Sequence, residues 1–284
     1  SNLEKEETYI DGIKVDWDFS KGNHFIDVFK VDENNSAKKL SPYAVIIHSG
    51  CPEFKESAPF ESGKLGLYWN ESHELMEKCT QYSTPYGSLH VLTDNDSKEY
   101  YEFFKKSEIF AGKRREYVYK SIFGGKKIIQ NRMHQGLASM NSAVLGCQTF
   151  SDDDAGLYPV SLRSDEPSYL VKPLKNFSNE QINELGFSAR AEKFGVSNVL
   201  KKANIIPHGG GYNVAEAIDI ERTYAMNGKI YYQLGNAEGI GRTIVSTTDA
   251  LSSTYRGREV MVRCEEIGLA KPKVTLIPMY TLKV

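Results

Sequence analysis

The sequence is short of several things, and each shortage excludes something. It has almost no excess charge: 35 lysines and arginines against 37 aspartates and glutamates give a net charge of −2. No global field draws such a chain to nucleic acid, so any nucleic-acid contact has to be a local basic patch. Cysteine is scarce, and Cys51, Cys79, Cys147 and Cys264 form no C-x-x-C pair. A chain of 284 residues needs no disulfide staples, and the expected setting is reduced and cytoplasmic. Apolar runs are short. None approaches the ~20 residues of a membrane span and no secretory signal opens the sequence, so no membrane partner is expected. There is no internal repeat and no low-complexity linker. Histidine occurs six times, which makes the placement of each one informative.

What is present is an ordinary globular composition, 40% hydrophobic and 25% charged. Strands are predicted over Tyr9 to Val15 around an Asp11-Gly12 turn, over the alternating Phe25 to Val31, and over the β-branched run Ala44 to Ile47. Further strands are expected at Lys126 to Ile129, Leu157 to Leu162, Tyr169 to Val171, Thr243 to Thr247 and Val274 to Leu282. Helices are expected over Ser97 to Phe110 (N-cap Asp96 or Ser97), Asn179 to Leu185, Ala189 to Ala203, and Arg258 to Gly268 with Gly268 as its C′ residue. Met133 to Leu145 fits either a helix or a strand. Ser62 to Asn70 and Ser83 to Leu92 read as irregular. Strands and helices do not alternate strictly, so the expected class is α+β, with mixed sheets packed by helices in a single large domain over 1–284.

One stretch stands out for chemistry. The apolar run Ile205-Ile206-Pro207 ends in His208, and Gly209, Gly210 and Gly211 follow. Consecutive glycines let backbone approach a ligand and can turn their N–H groups onto an anion. A histidine on such a rim can ligate a metal, move a proton or attack phosphorus; the plain alternative is a tight turn after a strand. His24 and His48 also stand where an apolar strand meets a small or polar segment, as loops at strand ends often gather functional groups. His134 follows a basic segment, Lys126 to Arg132. A set of imidazoles suits manganese, zinc or iron, and each histidine has the alternative of an ordinary structural residue. His73 and His90 read as ordinary surface or strand residues.

Several segments carry a family pattern. Gly22-Asn23-His24-Phe25-Ile26-Asp27-Val28 resembles the G-N-H-F-(I/L)-E-(V/I) segment of the RtcB family of RNA ligases, and His48-Ser49-Gly50 resembles the H-(S/T)-G that follows it there. Pro159-Val160-Ser161-Leu162 with Pro167-Ser168-Tyr169-Leu170-Val171 is similar to that family's P-x-I-P-G-S-M-G-x-x-S-Y-(L/I)-V loop, and His208-Gly209-Gly210-Gly211 to its H-G-A-G-R. Tyr255-Arg256-Gly257, Glu265-Glu266-Ile267-Gly268-Leu269-Ala270, Pro278 and Lys283 follow its closing A-Y-K-D, E-A-G-L-A and P-L-x-V-(I/V)-K-G in order and spacing. The resemblance covers Gly22 to Val284, thinly between Cys51 and Lys126.

The resemblance implies an RtcB-like fold and a GTP- and manganese-dependent ligase that seals RNA in tRNA splicing or RNA repair. In that family a histidine becomes a histidine–GMP adduct, GMP passes to an RNA 3′-phosphate, and a 5′-hydroxyl displaces it. A 2′,3′-cyclic phosphate is opened first. Carried over, His208 is the nucleophile and His24, His48 and His134 are metal (Mn2+) ligands. Asn23, Asp27, Ser168, Gly209, Gly210, Gly211, Tyr255 and Lys283 lie about the nucleotide. The implied partners are RNA (tRNA halves or broken RNA), GTP and an activating protein. Basic groups at Lys113-Arg114-Arg115, Lys126-Lys127 and Arg132 are candidates for RNA phosphates or for a solvated face.

The chain also departs from the pattern. Nothing before Gly22 resembles the family's D-x-G-C-G, which supplies an aspartate and a cysteine to the metals, so the expectation is a divergent or N-terminally shortened member. Cys51-Pro52 stands where a serine and an arginine follow H-(S/T)-G, and Cys51 is either a thiolate ligand or a small buried residue. Leu162-Arg163-Ser164-Asp165-Glu166 replaces the loop glycines, and Tyr212 replaces an arginine. The alternatives are a metal-dependent phosphoesterase on the same scaffold, or a catalytically depleted nucleotide- or RNA-binding homologue.

Overall fold

The computed structural model describes residues 7–17, 19, 24–36, 39–60, 65–84, 87–125, 127–133, 135–163, 165–214, 217–226, 229–236, 242–245 and 253–282. It is α+β, with helices packed on antiparallel sheets. A small hairpin, β1 (Tyr9–Ile10) and β2 (Ile13–Lys14), turns at Asp11 and Gly12, both at positive φ, as a two-residue hairpin turn demands. β3 (Phe25–Asn34) and β4 (Tyr43–His48) run antiparallel, with Phe25 opposite His48 and Asp27 opposite Ile46. Helix α1 (His73–Lys78) leads into the hairpin β5 (Thr80–Thr84) and β6 (Gly87–Val91). The 30-residue α2 (Asp94–Phe123) follows, then the hairpin β7 (Gln135–Ser139) and β8 (Ser142–Leu145).

β9 (Cys147–Thr149), β10 (Tyr158–Val160) and β11 (Ser168–Pro173) precede three short helices, α3 (Asn179–Glu184), α4 (Ser188–Lys193) and α5 (Ser197–Leu200). β12 (Ile205–Pro207) pairs with β9; β13 (Tyr212–Val214) pairs with β17 (Ser253–Tyr255). β14 (Ala217–Met226), β15 (Lys229–Asn236) and β16 (Arg242–Val245) make a three-stranded sheet. α6 (Glu259–Glu266) and β18 (Ala270–Leu282) close the described chain. The main sheet has the order β10-β11-β18-β3-β4 with every neighbour antiparallel. β18 thus lies between the segment that resembles the nucleotide loop and the one that carries Asp27, and Thr281 sits opposite Asp27.

Several sequence expectations change. Ser83 to Leu92 is mostly strand, because β5 and β6 pair along their full length. Met133 to Leu145 resolves to the hairpin β7–β8, and Lys127 to Ile129 is not strand. The helix expected over Ala189 to Ala203 is two, broken where Gly195 takes φ 64°. The helix expected to stop at Phe110 runs to Phe123 and is capped at Thr93 instead of Asp96 or Ser97. Its buried stripe is Phe103, Ser107, Phe110, Arg114 and Val118, a helical repeat in which a charged residue stands at an inward position. That arginine makes the stripe look broken in sequence.

Buried side chains explain how the histidine-bearing strands are held. Ile206 of β12 is 1% exposed and belongs to a cluster with Tyr158, Val160, Val171, Met261 and Ile267. Phe19, Ile26 and Val118 form another, which seats β3 on α2. No described helix is long and apolar enough to cross a membrane.

Candidate active site

Three of the histidines meet. β4 ends at His48, the residue before Phe25 on the way into β3 is His24, and β12 delivers His208. The ring centroids of His24 and His48 are 5.6 Å apart, and those of His48 and His208 are 5.9 Å apart. Phe25, opposite His48 in the ladder, lies 5.3 Å from it and walls the cluster on one side. Gly50 lies close under His24: a Cβ on it would stand 3.2 Å from Cε1 of that ring.

His208 is half-buried, and its contact with Gly146 indicates its tautomer. Nδ1 lies 2.9 Å from the carbonyl oxygen of Gly146. A carbonyl can only accept, so Nδ1 carries the hydrogen and donates it, and the lone pair of the neutral ring is on Nε2. Burial pulls the imidazole pKa below its ordinary 6.5, with the Gly146 carbonyl opposing. The sign follows from linkage. Below pH 6.5 the unfolded chain takes up a proton that the folded His208 still refuses, so acidification costs stability in that window.

The glycines after His208 are dictated by crowding. Ser161 N–H donates to the His208 carbonyl and Gly210 N–H donates to the Ser161 carbonyl, a parallel bridge between the end of β10 and the turn. A Cβ on Gly209 would stand 2.4 Å from the Ser161 oxygen, and one on Gly210 would stand 2.1 Å from the Arg256 oxygen. Gly211 has open space but φ 62°. Gly210→Ala sets backbone against backbone and is expected to cost about 3 kcal/mol. Gly211→Ala meets only the left-handed φ and should cost about 1 kcal/mol. Urea unfolding of the two variants checks the order; the reverse order would contradict this packing.

Arg114 of α2 supports the cluster from behind. It is 0% exposed, its Nη1 donates to the Gly50 carbonyl at 3.1 Å, and Nε and Nη2 donate to the Asp16 carbonyl. Glu53, 4% exposed in its side chain, lies 3.2 Å from Nε, and its other oxygen has no hydrogen-bond partner among the described residues. Burial raises the Glu53 carboxyl above its usual range, with Arg114 opposing. Of the two expectations for Lys113-Arg114-Arg115, RNA phosphates or a solvated face, neither holds at Arg114, which is internal. Arg115 donates to Asn131, and Lys113 bridges Asp11 at 2.6 Å. Cys51 is not a thiolate: it donates to the Ser107 carbonyl, and burial pushes its thiol pKa far up.

The other expected residues divide. Asp27 is 6% exposed on β3, between Ile46 and Thr281. Ser168 is 1% exposed and its hydroxyl accepts the Leu162 N–H at 3.0 Å, so it ties down the loop that precedes it. Tyr255 pairs with Tyr212 in the β13–β17 ladder. Asn23, His134 and Lys283 lie outside the described residues. Among the described residues no group of three His, Cys, Asp or Glu donors is arranged to hold a metal ion. Two buried hydroxyls adjoin the cluster in sequence or by the bridge, Ser49 and Ser161, and neither Oγ has a partner among the described residues. The residues missed in sequence are Gly146, which orients His208, and Glu166. The Glu166 carboxylate accepts Arg258 N–H at 2.6 Å and is paired with Arg163 at 2.9 Å, so the loop before β11 is pinned to the start of α6. Comparison of this chain with family models, curated proteins and solved structures finds no match.

Proposed function

We propose that this chain is an RtcB-like RNA ligase that joins an RNA 3′-phosphate or 2′,3′-cyclic phosphate end to a 5′-hydroxyl through a histidine–GMP intermediate at His208. The observation that carries this reading is the meeting of His24, His48 and His208, which come from three separate motifs of the family pattern. The tautomer of His208 suits the role. Nε2 holds the lone pair that attacks the α-phosphorus of GTP; the Nε2–P bond forms as the bond to the pyrophosphate oxygen breaks. The ring gains positive charge as it does so, and the Gly146 carbonyl on Nδ1–H stabilises it. Manganese held by His24, His48 and His134 would neutralise charge on the α-phosphate; that set is not assembled among the described residues, and no step here depends on it.

A second reading, a catalytically depleted nucleotide or RNA binder, draws on the pinned loop. Glu166, paired with Arg163, packs on Gly257, one residue beyond the Arg256 carbonyl beside Gly210, so side chains fill the loop where the family pattern has glycines to hold a reacting phosphate. Sealing separates the two. The protein is given GTP, Mn2+, an RNA with a 2′,3′-cyclic phosphate and an RNA with a 5′-hydroxyl. Joined product supports the ligase; nucleotide binding with neither product nor adduct, in folded protein, overturns it. Because burial depresses the His208 pKa, the acid limb of adduct formation is expected below pH 6.5. An acid limb above 6.5 in a pH profile would contradict the assignment of that limb to His208.

A further inference from the structure

The far end of α2 borders a second site. Between β6, the first turns of α2 and the β7–β8 hairpin lies a cavity of about 310 Å³, lined by Trp69, His90, Tyr100, Tyr101, Leu137 and Met140 among others. From Tyr101 to Arg114 the helix rises about 20 Å, so this cavity is separate from the histidine cluster. Its lining is mostly aromatic and aliphatic. Two of its hydroxyls are already paired, and one buried ring nitrogen is not. Tyr100 donates its hydroxyl to the Leu67 carbonyl at 2.9 Å, and Ser97 donates to the Asp94 carbonyl at 2.8 Å. His90 Nε2 is buried and has no hydrogen-bond partner among the described residues. Trp69 stacks on the His90 ring at 3.4 Å between centroids and 19° between planes, which covers a face and leaves the in-plane need of Nε2 unmet.

We propose that this cavity binds a small, uncharged aromatic alcohol whose hydroxyl pairs with His90 Nε2. A hydroxyl both donates and accepts, so it satisfies Nε2 in either neutral tautomer. The apolar walls take the ring. Charge disfavours anions: Glu74, Asp96 and Glu99, chain neighbours of the lining residues Leu75, Ser97 and Tyr100, share the single ammonium of Lys78 at 3.8, 2.9 and 3.0 Å and leave that group net negative. On the other side Lys105 covers Tyr101 at 5.1 Å and is neutralised by Glu102 at 2.7 Å. This site stands independently of the ligase reading.

Phenol is the probe, with benzene and benzoate as controls. Trp17 and Trp69 are the two tryptophans of the sequence, so a Trp17→Phe background leaves the fluorescence of Trp69 as reporter. Saturable change with phenol, weaker binding of benzene and no binding of benzoate are expected. His90→Phe keeps a ring under Trp69 and removes the nitrogen; phenol should bind roughly tenfold more weakly while benzene is unaffected. Met140→Trp, at a position 41% exposed, fills the cavity from the hairpin side and should abolish binding of both, read by titration calorimetry because the variant adds a tryptophan beside Trp69. No saturable change with phenol, equal phenol affinity in His90→Phe, or benzoate binding as well as phenol overturns the proposal.

Discussion

On the proposed ligase reading, His208→Ala is expected to abolish labelling of the protein by GTP carrying a label on its α-phosphate. In the parent chain the label is expected to be acid-labile and stable to hydroxylamine, as a phosphorus–nitrogen bond is and an acyl phosphate is not. Sealing of RNA ends falls at least about 10³-fold, because no neighbouring group takes over an attack that needs a lone pair at that point. The variant stays folded. His208 is half-buried, and its loss removes one side-chain hydrogen bond to Gly146, worth about 1 kcal/mol. His208→Asn retains a polar side chain at the position and should be equally unlabelled. Undiminished labelling of a folded His208→Ala protein would sink the assignment, whatever the sealing assay reports.

Arg114→Met is expected to lower stability by about 3–5 kcal/mol, the largest effect of any single change considered. The substitution keeps an unbranched side chain and removes the guanidinium, whose carbon lies 5.4 Å from the centre of the Phe19 ring. Glu53 is then a buried carboxylate whose cation is gone, and the carbonyls of Asp16 and Gly50 lose their donors. Glu53→Gln is milder, since Arg114 keeps both carbonyls. The double change Arg114→Met with Glu53→Met should cost less than the sum of the two single methionine changes, by about 1–3 kcal/mol. Urea unfolding of the parent, the single and the double variants measures that coupling. An Arg114→Met protein within about 1 kcal/mol of the parent would show the pair to be incidental. The same variant links stability to the site: Gly50 loses its tether and His24 rests against Gly50, so GTP labelling per folded molecule should fall too.

Much of the local structure was legible. The Asp11-Gly12 turn, the alternation of Phe25 to Val31, the helix that starts at Asn179 and the C′ glycine at Gly268 all obey rules that act over a few residues. Those rules failed where a residue's partner is distant in sequence. Lys113-Arg114-Arg115 looks like a solvated basic run because neighbours alone say nothing of Glu53, which is 61 residues from Arg114. The strands from Tyr212 to Asn236 drew no assignment in sequence, as their segments mix polar and apolar residues without a clear period.

The candidate site divides in the same way. Sequence by itself determined which residue types end the strands: a histidine at His24, His48 and His208, and three glycines after the last. It could not determine why glycine is required. Gly209 and Gly210 are forced by the carbonyls of Ser161 and Arg256, which arrive from other parts of the chain, while Gly211 is forced by its own φ. Nor could sequence give the tautomer of His208, which depends on a carbonyl at Gly146 62 residues away. The tertiary structure alone turned Ser168 inward onto Leu162 and Arg114 inward onto Gly50. Periodicity and turn chemistry are properties of local backbone geometry, so a sequence displays them. The approach of three imidazoles and the burial of a paired charge are decided by desolvation and packing between distant segments, and exist only once the sheet, α2 and the glycine turn have closed on one another.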